Sequence, residues 1–302
     1  MEMNIGRTRE SAKVTLDYSL CSACGLCARV CKGGPLHAEA GQVRVDASHS
    51  WGCMGCGQCM AVCPQHCITV TGRDLVPQDA APLPPRDQRA SYDSLQALML
   101  SRRSVRNYKD TEVPREIIEQ ILKAASSAPM GIPPSEVGVL VLAGREKVSR
   151  FRKDLLVAAR SMKRMFSPPV LWLFKPFLGK ENYQMMKAFV LPVLDTYLTK
   201  DKEGEDWFFY DAPVALYFYG SAWADPADAV IAATYAMVAG ESLGLGSCML
   251  GFPGHLIKHS KALKARYHLP LKLQPGLVVV FGHPAIPFQR AVERRFADIR
   301  YV

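Results

Sequence analysis

CSACGLCARVC, residues 21–31, sets four cysteines at positions 21, 24, 27 and 31 in the spacing C-x2-C-x2-C-x3-C. The same spacing returns in CMGCGQCMAVCP at 53–64, with cysteines at 53, 56, 59 and 63 and with Val30 and Val62 in the same place before the fourth. Eight of the chain's 10 cysteines fall in these two runs. Thiols clustered in this way read as metal ligands rather than disulfides, and the repeat makes the first 73 residues a pseudo-symmetric unit. Short flanks with alternating polarity, AKVTLDY (12–18), QVRV (42–45) and CITVTG (67–72), read as strands around it.

In such a run three cysteines bind one iron–sulfur cluster from a tight loop, and the fourth, on the helix that follows, serves the other cluster. The expected assignment is therefore crossed. Cys21, Cys24, Cys27 and Cys63 would hold one 4Fe–4S cluster, and Cys53, Cys56, Cys59 and Cys31 the second. Gly25, Gly55 and Gly57 suit loops that wrap closely around inorganic sulfide. Zinc is the competing reading, but two C-x2-C pairs satisfy it and four cysteines in each of two copies exceed its needs. The two runs resemble the bacterial two-cluster ferredoxins. The proline which that family carries after the fourth cysteine is Pro64 in the second copy and is replaced by Lys32 in the first. Cys67 and Cys248 stand outside the runs and read as small buried hydrophobes.

The rest of the composition is that of a globular protein: 302 residues, 49% hydrophobic and 22% charged, enough for two domains. No segment approaches the roughly 18 uninterrupted apolar residues of a membrane span; VLWLFKPFLG (170–179) is broken by Lys175 and Pro176. MEMNIGRTRESAKV at the start lacks an apolar export core, so the expectation is a cytoplasmic protein. Residues 74–92 hold four prolines, at 77, 82, 84 and 85, and read as a semi-rigid linker between a domain at 1–73 and another at 93–302. Beyond it, helices are expected at about 93–102, 114–128, 147–166 and 226–244, and strands at 137–144, 211–220 and 273–282. The class is α+β, with a central antiparallel-rich sheet covered by helices.

SRRSVRNY (101–108) gathers Arg102, Arg103 and Arg106 around Ser104, a donor set suited to phosphate, although a solvated basic helix end is the plainer alternative. RRSVRNYKDTEVPREIIEQILKAASSAP (102–129), ESLGLGSCMLGF (241–252) and VVVFGHPAIPFQR (278–290) together resemble, in order, the motifs of the FMN-dependent nitroreductase family. The resemblance covers about 93–302. It implies that Arg102, Arg103, Ser104 and Arg106 contact the FMN phosphate and ribityl chain, and that Arg290 approaches the phosphate from the C-terminal side. Pro129, Met130 and Gly131 would line the isoalloxazine, and the backbone amides of Leu250 and Gly251 would face its reactive nitrogen. MGIPPSEV (130–137) departs from the family pattern, so the family's asparagine contact to the flavin is missing. The formal charge of +9 falls to roughly +3 once two clusters with their thiolates and an FMN phosphate are counted, which removes the case for a nucleic-acid partner.

The resulting expectation is an iron–sulfur flavoprotein oxidoreductase. It would pass electrons through two 4Fe–4S clusters to FMN and on to an electron-poor small molecule such as a nitroaromatic or quinone. An external low-potential donor, a ferredoxin or NAD(P)H, would supply them. A G-x-G-x-x-G after a strand is absent, which argues against a Rossmann site alone. The family resemblance implies a homodimer. Alternatives on the same scaffold are a relay to a protein partner, a flavin or cofactor reductase, and a reductive dehalogenase. The stretch 145–210 is the least family-like; it reads as core and dimer packing, a substrate lid or, last, a membrane-surface helix. His255 and His259 stand four apart without an acidic partner and are not expected to bind metal.

Overall fold

Gly25 and Gly57 each take a left-handed conformation, φ 71°, and each opens a five-residue helix, so the sequence repeat is a repeat of backbone geometry as well. The computed structural model describes residues 10–32, 34–49 and 52–302; the first nine residues of the N-terminal stretch read above lie outside them. Its first compact unit runs to Ala90 and includes Pro129–Val137 and Gly220–Asp228. It contains β1 (Lys13–Leu16), α1 (Leu26–Val30), β2 (Leu36–Glu39), β3 (Gln42–Val45), α2 (Gln58–Val62) and β4 (Ile68–Thr71). β1 pairs antiparallel with β4, and β2 with β3. The two sheets and two helices enclose a small core of Val14, Leu36, Val43, Met60, Ile68 and Val70, into which Cys27, Cys59, Cys63 and Cys67 also pack. β2 was not visible in the sequence, where LHAE shows no alternation long enough to mark a strand.

The second unit is Ser91–Ala128, Gly138–Tyr219 and Ala229–Val302. Its elements are α3 (Tyr92–Ser101), α4 (Arg115–Ser126), β5 (Val137–Ala143), α5 (Arg145–Met165), α6 (Pro168–Met185), a π turn (Met186–Val190), α7 (Leu191–Lys202), β6 (Val214–Ser221), α8 (Asp228–Ser242), β7 (Gly246–Leu250), α9 (Phe252–His259), α10 (Lys261–Arg266), β8 (Leu273–Gln274) and β9 (Val278–Gly282). The sheet order is β5-β6-β9-β7, with β8 pairing β6; β9 runs antiparallel to both β6 and β7. The single strand expected at 273–282 is two, interrupted at Pro275-Gly276, where Gly276 lies so close to Phe218 O that an added Cβ would stand 2.1 Å from it. The passage GSCML, assigned to no element from the sequence, is the strand β7.

β6 and β9 are buried along almost their whole length, as strands covered on both faces must be. Ala215, Tyr217, Val278, Val280 and Cys248 face a core completed by α5, α7, α9 and α10. On the opposite face Phe281 meets Gly240 of α8 so tightly that a Cβ there would lie 2.7 Å from its ring, with Ile121 of α4 beside it. α5 shows why it helps form this core: Val148, Phe151, Leu155, Leu156 and Ala159 recur at helical spacing and are all buried. Each of the larger of these side chains contributes roughly 1.5–3 kcal/mol by burial. α6 is different in kind, since Trp172, Leu173 and Phe177 are exposed. Among the described residues no helix is long and apolar enough to cross a membrane.

Candidate cofactor sites

In each run two thiols precede the helix, the third sits in its first turn, Cys27 in α1 and Cys59 in α2, and the fourth stands at the helix C-cap, Cys31 after α1 and Cys63 after α2. The two helices pack against each other. Cys31 lines a cavity of about 160 Å3 with Cys53, Cys56 and Cys59. Cys63 and Cys21 are the thiols that act on Cys27. Cys31 thus stands among the thiols of the second run, and Cys63 and Cys21 stand near Cys27.

The chemistry of the donors fits a cluster. The Cys59 thiol is pushed up to about 12 by burial and by the neighbouring Cys53, Cys31 and Cys56. Burial also raises Cys53 and Cys27. Thiols held this far from ionising need a cation beside them to become ligands. Among the described residues no three Cys, His, Asp or Glu side chains converge as a single ion requires. Cys31, Cys53, Cys56 and Cys59, four soft thiols lining one cavity, suit a multi-iron centre. Burial opposes the thiolate of Cys63, but hydrogen bonds from the Cys67 amide and thiol and from the Gln65 and His66 amides hold its pKa down. Cys67, read as a bystander, lies 3.4 Å from Cys63, sulfur to sulfur. Arg73, 1% exposed, is the charged neighbour that favours the Cys53 thiolate. It also donates from Nε and Nη2 to Pro133 O at 3.2 and 2.6 Å, tying the 129–137 segment into this unit. In that segment Gly131 N donates to the Asp228 carboxylate at 3.2 and 3.3 Å, while Met130 is exposed. Pro129, Met130 and Gly131 therefore belong to the cluster-bearing unit.

The arginines lie in the second unit. After α3 the chain runs alongside β7, with Ser104 bridged to Ser247 and Val105 N donating to Ser247 O at 2.9 Å. It then crosses the end of β9, where Lys109 N donates to His283 O and Ala285 N to Asn107 O. Two glycines paired across β7 and β9 make room for this crossing. A Cβ on Gly246 would lie 2.5 Å from Val105, and one on Gly282 would lie 2.7 Å from Tyr108. Gly246→Ala is accordingly expected to lift Val105 and cost about 1–3 kcal/mol, as overpacking does; thermal unfolding and flavin content should both fall, and an unchanged melting temperature would refute the close fit.

Arg102, Arg103, Ser104 and Arg106 together line a cavity of about 380 Å3, joined by Asn107, Phe288 and Arg294. Arg290 lines an adjacent cavity of about 550 Å3 that shares Arg103. Arg294 carries no sequence signal, because it sits in an irregular tail whose path is set by contacts and has no period. Cys248 lies beneath the arginines: burial raises its thiol, and Arg106, Ser104 and Arg102 oppose that. The Arg106 guanidinium also stacks 5.8 Å over the Tyr210 ring. Ser247 Oγ is buried and meets no hydrogen-bond partner among the described residues. Four guanidiniums around an open volume, with an unsatisfied hydroxyl beside them, fit a phosphate-bearing cofactor. Leu250 ends β7, and Gly251 caps α9, so both present backbone where strand passes into helix. His255 and His259 share α9, with no metal-binding group of three among the described residues.

A two-run thiol unit preceding an α+β sheet domain with an arginine-lined cavity is the arrangement that an iron–sulfur flavoprotein would need. The sequence matches the nitroreductase family over residues 99–283 and a 4Fe–4S dicluster domain over residues 13–64. The chain belongs to the nitroreductase family; it is an FMN-dependent oxidoreductase with a 4Fe–4S dicluster domain. Its fold is similar to that of a nitroreductase with bound FMN from Bacteroides fragilis, at 18% identity and a TM-score of 0.51, over 69% of this chain and 97% of that one. A nitroreductase with bound FMN from Desulfitobacterium hafniense (19% identity, TM-score 0.49) aligns over 69% of this chain and 97% of that one. A BluB-like flavoprotein from Clostridium difficile (16%, 0.48) aligns over 67% and 94%. Among curated proteins there is no match.

Proposed function

We propose that this chain accepts single electrons from an external low-potential donor, a ferredoxin or NAD(P)H, and uses them to reduce an electron-poor organic small molecule such as a nitroaromatic or quinone. Clusters exchange electrons singly and FMN when bound converts them to pairs, which is the chemistry these cofactors supply. Cys21, Cys24, Cys27 and Cys63 hold one cluster, and Cys53, Cys56, Cys59 and Cys31 the other. Arg102, Arg103, Ser104 and Arg106 bind the FMN phosphate and ribityl chain, with Arg290 on the C-terminal side. Pro129, Met130 and Gly131 line the isoalloxazine, and the amides of Leu250 and Gly251 face its central nitrogen. The chain is organised as a cluster domain (1–73), a proline-rich linker (74–92) and a flavin domain (93–302), and works as a cytoplasmic homodimer.

One observation carries the electron path. The segment assigned to the isoalloxazine is packed with the cluster loops in one unit, through the buried Arg73 and its bonds to Pro133 O. That supports a flavin served directly by the clusters. The test is anaerobic purification with iron, sulfide and flavin quantified, then reduction by dithionite-reduced ferredoxin or NADH before a panel of nitroaromatics and quinones. About eight irons and one FMN per chain, with acceptor turnover, are expected. Iron well below eight, or no FMN, sinks the cofactor assignment; a fully loaded protein that reduces only a protein partner is a relay instead.

A further inference from the structure

The two cysteine runs differ four residues beyond their last cysteine, where the first has Pro35 and the second has Cys67. Around Cys31 there is little room: a Cβ on Gly34 would lie 2.6 Å from its sulfur. Around Cys63 the chain turns back on itself, with His66 at a positive φ of 49° and its N–H donating to Cys63 O at 3.3 Å. That turn sets Cys67 Sγ 3.4 Å from Cys63 Sγ, and the Cys67 thiol reaches Cys21 as well. Asp17 N donates to Cys67 O at 2.8 Å and β4 begins at the next residue, Ile68, so the backbone beside the thiol is anchored at the start of a strand. Both sulfurs are interior, Cys63 being 8% and Cys67 6% exposed. The eight-ligand assignment leaves this fifth thiol without a task.

We propose that Cys67 is a reserve ligand for the cluster of Cys21, Cys24, Cys27 and Cys63, placed to take over from Cys63. The inference rests on the crossed cluster assignment. With the cluster bound, the exchange would be a ligand substitution without electron transfer: Cys63 would leave as a thiol carrying the proton of Cys67, and the Cys67 thiolate would hold the iron in its place. The other cluster has no counterpart, since proline cannot ligate. Loss of the fourth ligand is therefore tolerated at one cluster and not at the other.

The whole chain, purified anaerobically, tests this by iron and sulfide content and by electron paramagnetic resonance of the reduced protein. Cys63→Ala should keep about eight irons and both cluster signals, whereas Cys63→Ala with Cys67→Ala should fall to about four. Cys31→Ala, the matching ligand of the other cluster, should also fall to about four. Cys67→Ala alone should keep eight. Four irons or fewer in Cys63→Ala overturns the proposal, and so does iron loss in Cys67→Ala alone, which would make Cys67 an ordinary ligand. Fewer than eight irons in the unaltered chain would overturn the two-cluster assignment itself.

Discussion

Arg102→Ala combined with Arg106→Ala should weaken FMN binding by about 10²- to 10⁴-fold. The two guanidiniums share one cavity with Arg103, Ser104 and Arg294. A hydrogen bond to a charged group contributes roughly 1.5–3 kcal/mol, and every 1.4 kcal/mol is a factor of ten in affinity. Fluorescence titration of flavin-stripped protein with FMN measures the loss directly. Riboflavin, which lacks the phosphate, should bind the variant and the unaltered protein almost equally. If both flavins lose affinity together, the arginines support the domain and do not read phosphate. Single Arg290→Ala and Arg294→Ala variants extend the test, because the two residues line adjacent cavities and only Arg294 shares the one containing Arg106. A larger loss at Arg294 would place the phosphate in the smaller cavity.

Crossed ligation has an equally large signature. Cys31→Ala with Cys53→Ala removes two ligands from the same proposed cluster, so about four irons should remain. Cys31→Ala with Cys21→Ala removes one ligand from each cluster and should leave almost none. Uncrossed ligation reverses the two results, since Cys21 and Cys31 would then serve one cluster. Iron and sulfide analysis of the two double variants decides the matter without any assay of activity. The physical reason for expecting crossing is local. A five-residue helix of 1.5 Å rise per residue carries its last cysteine some 7 Å from the loop that starts it, and with α1 packed against α2, Cys31 comes to line one cavity with Cys53, Cys56 and Cys59.

Much of this was legible in the chain itself. The two cysteine runs, the repeat and the strand QVRV followed from spacing and alternation, and the strand spans Gln42–Val45 as expected. Helix starts were less certain by a residue: Pro114 caps α4 and is not its first helical residue. β7 was missed because GSCML has two small residues and no alternation, and becomes a strand only through its pairing with β9. Arg294 was missed for a similar reason, its position being set by the path of an irregular tail.

The role of Cys67 marks the division most clearly. Counting ligands made it redundant, and burial in a small core was the natural reading. Local chemistry is periodic and short-ranged, so the sequence determined the cysteine loops, the arginine run and the α+β class unaided. Proximity between residues distant along the chain, or across a turn in an uncommon backbone conformation, is decided by packing. Only the tertiary structure could place Cys67 against Cys63, seat the arginine loop over Gly246 and Gly282, and tie Pro133 to Arg73, because each depends on contacts that no spacing encodes.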